Sequence, residues 1–208
     1  MKIIEPSYEI ISPIDRTYIM KHLEAIGRTC YKSEDKITDE SSAPFIRNII
    51  KSGHEAMIEH FSLSVRFVVN RSFTHEIVRH RIASFAQESQ RYVNYGKEKH
   101  GSEITFIRPT FYKNQKLMDT WELSMKEAEK NYFYLLSDGA KPQEARLVLP
   151  NSTRTEIVVT CNLRELRTIF SLRAATPADP AMREIMVPLL KDMKERLPDI
   201  FFDLEFEL

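Results

Sequence analysis

Two stretches of this chain leave little freedom in how it can fold. In the first, Phe61, Leu63, Val65, Phe67 and Val69 alternate with Ser62, Ser64 and Arg66. In the second, Thr153, Thr155, Ile157 and Val159 alternate in the same way, through Thr160. A period of two places one set of side chains on a single face, so both stretches predict half-buried strands. Each strand leads straight into a helix signal. Asn70 stops the first, and Ser72 can cap a helix running through Ile77 to the triplet Arg79-His80-Arg81. Asn162 and Glu165 have capping-box spacing for the second helix, whose inward stripe is Leu163, Leu166 and Phe170. Arg173 falls on that stripe, whereas Arg164 and Arg167 point elsewhere. An arginine in a core-facing position requires an anionic or carbonyl partner. A sheet carrying both helices would bring their ends together around one anionic ligand.

The remaining pattern fills in around these units. Lys2–Ile4 and Tyr8–Ile11 read as short strands around Pro6. Asp15 caps a helix with Ile19, His22, Leu23 and Ile26 on one stripe, ending near Gly27. Ser41, Ser42 and Pro44 start another, with Phe45, Ile46, Ile49 and Ile50 inward and Gly53 at its end. Arg91–Tyr95 and Ile104–Ile107 are strand candidates. Leu117, Trp121, Met125, Ala128, Tyr132 and Leu135 recur at helical spacing and predict a long amphipathic helix ending at Gly139. Pro142 opens a short helix holding Arg146, and Met182–Leu197 reads as a packing helix. With no repeat, linker or domain boundary, the expectation is a single α+β domain over residues 1–208. It would have a central antiparallel sheet flanked by helices, including one long amphipathic helix.

Charge and glycine content narrow the chemistry. Lysine plus arginine total 30 and aspartate plus glutamate total 30, so the chain lacks the basic excess that non-specific nucleic-acid binding needs. It has 5 glycines and neither a G-x-G-x-x-G nor a Walker-type loop, so any nucleotide must be held by side chains. The 2 cysteines, Cys30 and Cys161, suggest a reducing compartment, and no apolar run is long enough to span a membrane. A cytoplasmic location follows as the expectation.

Arginine is distributed unevenly. Between Lys51 and Lys97 there is no lysine, yet Arg66, Arg71, Arg79, Arg81 and Arg91 occur; between Lys141 and Lys191 the cations are Arg146, Arg154, Arg164, Arg167, Arg173 and Arg183. Arginine alone suits bidentate, partly buried contacts to phosphate or carboxylate, although internal ion pairs favour it too. The segment His54-Glu55-Ala56-Met57-Ile58-Glu59-His60 resembles a zincin motif only superficially. Its histidines are six apart rather than four, so no metal site is expected, and Glu59 and His54 are available to a ligand.

Arg79-His80-Arg81, seven residues and then Ser89 is similar to the signature of the flavin-dependent thymidylate synthases. Gly53-His54-Glu55 through Glu59-His60, Ala145 through Pro150, and Asn162-Leu163-Arg164-Glu165-Leu166 through Leu172-Arg173 resemble further blocks of that family, in the same order. The resemblance implies conversion of deoxyuridine monophosphate (dUMP) to thymidine monophosphate (dTMP). The carbon donor would be 5,10-methylenetetrahydrofolate, with FAD as flavin and NADPH as reductant. It also implies a homotetramer with active sites shared between subunits.

By the same resemblance, Glu76, Arg79, Gln87, Glu88, Ser89, Gln90, Arg91 and Arg146 would hold dUMP. Arg79, His80, Arg81, Gln87, Asn162, Arg164 and Thr168 would contact FAD, with Ala56 and Glu59 near the flavin from a neighbouring chain and His54 near the folate. Arg173 would contact the uracil and favour its ionisation at N3. The chain departs from the family pattern at Gln87, often Glu; at Ala56, often Thr or Ser; at Thr168, often His or Asn; and in the longer segment 176–185 after Arg173. Neither cysteine has an evident activating context, so a cation against the pyrimidine is the expected activator. Ser89 reads as a phosphate-binding hydroxyl. Two other classes compete: a non-catalytic nucleotide- or RNA-binding module on the same arginine-rich surface, and a metal-dependent hydrolase built on the histidines. Zero net charge counts against the first, and histidine spacing against the second.

Overall fold

A computed structural model of the chain describes residues 1–96 and 102–205. The fold is mixed α+β, with a four-stranded antiparallel sheet in the order β2–β3–β6–β4 and a small parallel pair of β1 with β5. The strands are β1 (Lys2–Ile4), β2 (Ser7–Ile10), β3 (Ser62–Asn70), β4 (Ala83–Gln87), β5 (Thr105–Ile107) and β6 (Arg154–Asn162). The helices are α1 (Arg16–Tyr31), α2 (Ser42–Lys51), α3 (Arg71–Ile77), α4 (Gln115–Ser137), α5 (Pro142–Ala145), α6 (Leu163–Arg173), α7 (Pro180–Arg196) and α8 (Pro198–Phe201). Both alternating strands bury their predicted faces: Leu63, Val65, Phe67 and Val69 on β3, and Thr155, Ile157, Val159 and Cys161 on β6.

Packing divides the chain into two compact units. The first takes in Met1–Tyr8, Arg66–Arg79 and Phe85–Val158. Its core gathers Tyr95, Ile104, Phe106, Met118, Trp121, Met125, Tyr132 and Ala145. The long amphipathic helix α4 supplies four of these, and Trp121 Nε1 donates to Ser152 Oγ at 2.9 Å. Leu117, expected on the inward stripe, is exposed; Met118 takes the buried position instead. The stripe therefore begins one residue later, consistent with side chains leaning back toward the helix N-terminus.

The second unit takes in Glu9–Val65, His80–Ser84 and Val159–Leu208. Here α1 packs on α2, α6 on α7, and α8 on α2 and α7. Asp15 caps α1 as expected, accepting from Tyr18 N at 3.0 Å. Gly27 does not end that helix, which runs on to Tyr31 and closes at Lys32 in a left-handed conformation, φ 47°. Gly27 is a close-approach position instead: a Cβ there would lie 2.6 Å from Cε1 of Phe45.

Three expectations around the arginine triplet need correction. Asn70, not Ser72, caps α3, its side chain accepting from Phe73 N at 2.8 Å. The helix ends at Ile77, so Arg79-His80-Arg81 lies in the turn beyond it rather than on the helix. The strand of this region is Ala83–Gln87, and Arg91–Tyr95 forms turns. The alternation of partly buried Ala83, Phe85 and Gln87 with exposed Ser84 and Ala86 is the pattern that a purely apolar reading missed.

Candidate active site

The predicted site residues fall into two groups. In the first unit, Glu76 lies in the last turn of α3 and Arg79 comes after the helix, exposed, with its backbone N–H donating to Glu76 O at 3.3 Å. Gln87 ends β4, and its Nε2 donates to Thr74 Oγ1 at 3.0 Å and Thr155 Oγ1 at 3.4 Å. The Glu88 N–H donates to Glu156 O at 2.9 Å. Its carboxylate receives Arg154 Nη1 at 2.5 Å and the Tyr95 hydroxyl at 3.1 Å. Burial first, and then the Glu88 charge, push the Tyr95 phenol above its ordinary pKa, so it stays a donor.

Residues 89–93 then make a tight turn. Ser89 Oγ accepts from Arg91 N at 3.3 Å, and Ser89 O accepts from Val93 N at 3.0 Å. Gln90 Nε2 is buried without a hydrogen-bond partner. An orphaned buried donor costs about 1–3 kcal/mol, and a ligand acceptor would recover that. Arg91 is exposed, with its guanidinium 5.7 Å from the Tyr92 ring centroid. Arg146 begins a short 3-10 turn, partly buried. Arg71 carries a guanidinium whose pKa is lowered, first by burial, with the like charge of Arg146 adding to the effect. Two cations close enough to disfavour each other make a natural seat for an anion. A cleft of about 730 Å³ opens in this unit, lined by Arg66, Gln87, Glu88, Tyr95, Arg154 and Glu156 among others.

In the second unit, His80 is buried, its Nδ1 lying 3.1 Å from Glu165 Oε1. Arg173 ends α6, partly buried, and its Nε donates to His80 Nε2 at 3.1 Å. That ring nitrogen is one partner of the Arg173 guanidinium. Asn162 caps α6 by accepting from Glu165 N at 2.8 Å. The Glu165 side chain turns to His80 instead of completing the box. Arg164 Nη1 donates to Glu59 at 2.5 Å and its Nε lies 3.8 Å from Glu55. Thr168, one turn on, is exposed and donates to Arg164 O at 3.2 Å. Ala56 and Arg81 are exposed, and His54 Nδ1 meets the Tyr31 hydroxyl at 2.7 Å.

Arg167 does not point away from the interior; it is the buried arginine of α6, 6 % exposed. It donates to Asp203 at 2.7 and 2.8 Å, to Glu55 at 3.2 Å and to the Ile200 carbonyl. Burial works to lower its pKa, but the hydrogen bonds and charges of Asp203 and Glu55 outweigh that and raise it. Cys161 is buried as well, and its thiol is pushed up to about 12, mainly by burial.

Residues absent from the sequence-derived site thus matter to it. Tyr95 and Arg154 hold Glu88, and Arg71 adds to the charge of Arg146. Arg71 and Arg154 stood in the lysine-free runs, which was the available signal; the Tyr95 phenol carried none. Among the described residues, no group of three or more His, Cys, Asp or Glu could hold a metal ion, and no helix is long and apolar enough to cross a membrane.

Residues 14–199 match the family model described as thymidylate synthase complementing protein. The chain belongs to that family. It is 37% identical over 168 residues to a flavin-dependent thymidylate synthase of Pyrococcus abyssi, covering 79% of this chain and 68% of that protein. With the Geobacter sulfurreducens protein of the same name it shares 34% over 185 residues, 85% of this chain and 78% of that one. Its activity class is flavin-dependent thymidylate synthesis. The fold is also that of a UMP/dUMP methylase, PolB from Streptomyces cacaoi, solved with 5-Br dUMP: TM-score 0.79, 22% identity, with 97% of this chain and 96% of that one covered.

Proposed function

We propose that the chain makes dTMP from dUMP by reductive methylation, with 5,10-methylenetetrahydrofolate as carbon donor, FAD as its flavin and NADPH as reductant. Glu76, Arg79, Gln87, Glu88, Ser89, Gln90, Arg91 and Arg146 bind dUMP. Arg79, His80, Arg81, Gln87, Asn162, Arg164 and Thr168 bind FAD, with Ala56 and Glu59 beside the flavin and His54 beside the folate. The donor set suits both ligands. Exposed Arg164, Arg81 and Thr168 offer cations and a hydroxyl to a pyrophosphate. The Ser89–Arg91 turn offers a serine, an arginine and the unpartnered Gln90 amide to a nucleotide. When bound, FAD supplies the hydride exchange that no side chain can. The reading includes a homotetramer with active sites shared between subunits and a cytoplasmic location.

Activation of uracil C5 is the chemical problem. Attack at C6 by a cysteine thiolate is one solution, but the buried Cys161 thiol, pushed up to about 12, is protonated at neutral pH. The place of Arg173 at the end of α6, its Nε on His80, supports the reading that Arg173 activates the ring instead. A guanidinium held by the His80 imidazole at the end of α6 stabilises negative charge as it develops on the pyrimidine. The test is direct. Purified protein should be yellow or take up FAD, and release of tritium from C5-labelled dUMP should require reduced flavin. A colourless protein indifferent to FAD, or one releasing no tritium, defeats the proposal.

A further inference from the structure

We infer that Glu165 and His80 are positioning residues for Arg173: a buried carboxylate selects one tautomer of a buried imidazole, and the imidazole fixes the guanidinium by its Nε. The inference rests on the reading that Arg173 meets the uracil.

The geometry is a three-member chain lying wholly within the second unit. Glu165 Oε1 is 3.1 Å from His80 Nδ1, and Arg173 Nε is 3.1 Å from His80 Nε2. Glu165 is 8 % exposed and His80 6 %, so neither can exchange its partner freely for water. The chemistry then admits one proton arrangement. Arginine Nε–H is only a donor, so Nε2 must present its lone pair. The single ring proton therefore sits on Nδ1 and donates to Glu165, which as a carboxylate only accepts. The other tautomer would set two donors against each other at Nε2 and two acceptors against each other at Nδ1. The imidazolium would likewise drive its Nε2 proton into the Arg173 N–H.

This explains two features that flavin contact does not. First, the triplet needs a histidine between its arginines, because the middle side chain turns inward while Arg79 and Arg81 are exposed. Second, Glu165 abandons the capping box, although its own N–H is bound by Asn162 at 2.8 Å. That bond anchors the backbone from which the carboxylate reaches His80. A guanidinium held by Nε has its plane fixed and presents its terminal amino groups together. Much of the arginine side chain's rotamer freedom is then lost before a ligand arrives. Orienting a catalytic group in advance raises its effectiveness in the transition state more than in binding.

The test uses the full chain as Glu165→Gln, His80→Gln, His80→Ala and Arg173→Ala. The ¹⁵N spectrum of the histidine-labelled wild type, read without any ligand, should show His80 with Nδ1 protonated and Nε2 bare. Glu165→Gln should weaken or invert that assignment. In the FAD-loaded enzyme, Glu165→Gln should lower kcat by roughly tenfold or more, as loss of an orienting partner does at metal-bound histidines. KM for dUMP and flavin content should change less. His80→Gln, whose side-chain oxygen can still accept from Arg173 Nε, should retain more activity than His80→Ala. A wild-type His80 protonated at Nε2 overturns the inference, and that measurement needs no variant to fold. So does wild-type turnover in Glu165→Gln and His80→Gln beside an inactive Arg173→Ala. Loss of flavin in parallel with loss of rate in Glu165→Gln, a residue outside the flavin contacts, would reassign its role to cofactor binding. Turnover surviving in Arg173→Ala would sink the underlying role of Arg173, while tritium release would still report whether the enzyme acts on dUMP.

Discussion

The two strand-to-helix passages, β3 into α3 and β6 into α6, begin alike and end differently. Each strand stops at an asparagine whose side chain accepts from the third residue of the helix, Asn70 from Phe73 N and Asn162 from Glu165 N, both at 2.8 Å. There the likeness ends. Helix α3 is 7 residues long and releases the chain at Ile77, so the arginine triplet is spread by a turn. Helix α6 is 11 residues long and carries Arg164, Arg167 and Arg173 on its own surface. Both give arginines in different directions, by different means. In the turn, consecutive residues diverge: His80 is buried, and Arg79 and Arg81 are exposed. On the helix, spacing does the sorting, with Arg164 exposed, Arg167 in the interior and Arg173 between the two.

If α6 is where the chemistry is held, its arginines should fail in distinct ways. Arg173→Ala should cost the most in activity, lowering kcat for dTMP formation by about 10²–10³-fold, the loss expected for one electrostatic stabiliser of developing charge. FAD uptake should stay intact, as measured by flavin absorbance after gel filtration. Comparable loss from Arg79→Ala with no effect of Arg173→Ala would reverse the comparison.

Arg167 should fail through stability. Truncating it to Ala takes the cation from Asp203 and leaves Glu55 with Arg164 alone; because both carboxylates are part exposed, the loss should fall below the roughly 3–5 kcal/mol of a fully buried pair, and urea unfolding would read it. The same network predicts an acid limb. The hydrogen bond from Arg167 holds Asp203 below the ordinary 3.8, burial opposing it. Burial would raise Asp199, but hydrogen bonds from Arg47 and Arg16 outweigh it and hold that carboxyl low as well. Carboxyls depressed in the folded state contribute stability above their unfolded pKa and lose it as pH falls through the folded values. Unfolding should therefore become easier below about pH 4, and Arg167→Ala should remove part of that dependence.

The caps sharpen the likeness instead. Asn70→Ala and Asn162→Ala should each cost about 1 kcal/mol, since each removes one side-chain acceptor at a helix start. Only Asn162→Ala should also disturb FAD binding, because its helix carries Arg164 and Thr168. Equal flavin affinities in the two variants would count against that assignment.

How much of this could be read in advance follows from range. Strand faces and helix stripes are set by neighbours two to four residues away, so β3, β6, α4 and α6 were legible. Helix ends depend on competing signals. Asn70 and Ser72 were both competent caps, and Gly27, an ordinary stop, serves instead as the place where Phe45 comes close. Site partnerships are longer-range still. Glu88 with Arg154 spans 66 residues, His80 with Glu165 spans 85, and Arg167 with Asp203 spans 36. No local rule could say that Glu165 would choose an imidazole over its own helix cap, or that Arg167 rather than Arg173 would be the arginine sealed in the interior.

The smallest expected effect is also the cleanest separation of the two ways to activate a pyrimidine. Cys161 sits on the buried face at the end of β6, one residue before the cap of α6, 5 % exposed. A nucleophile there would need a thiolate, and burial, with Glu165 adding like charge, works against one. Its sulfur is therefore packing. Replacing both Cys30 and Cys161 with Ala should leave C5 tritium release within about twofold of wild type, since the removed thiols contribute no more than about 1–2 kcal/mol of burial to the fold and nothing to the reaction. A cysteine-free chain that folds, takes up FAD and yet releases no tritium would return the activating role from Arg173 to a cysteine.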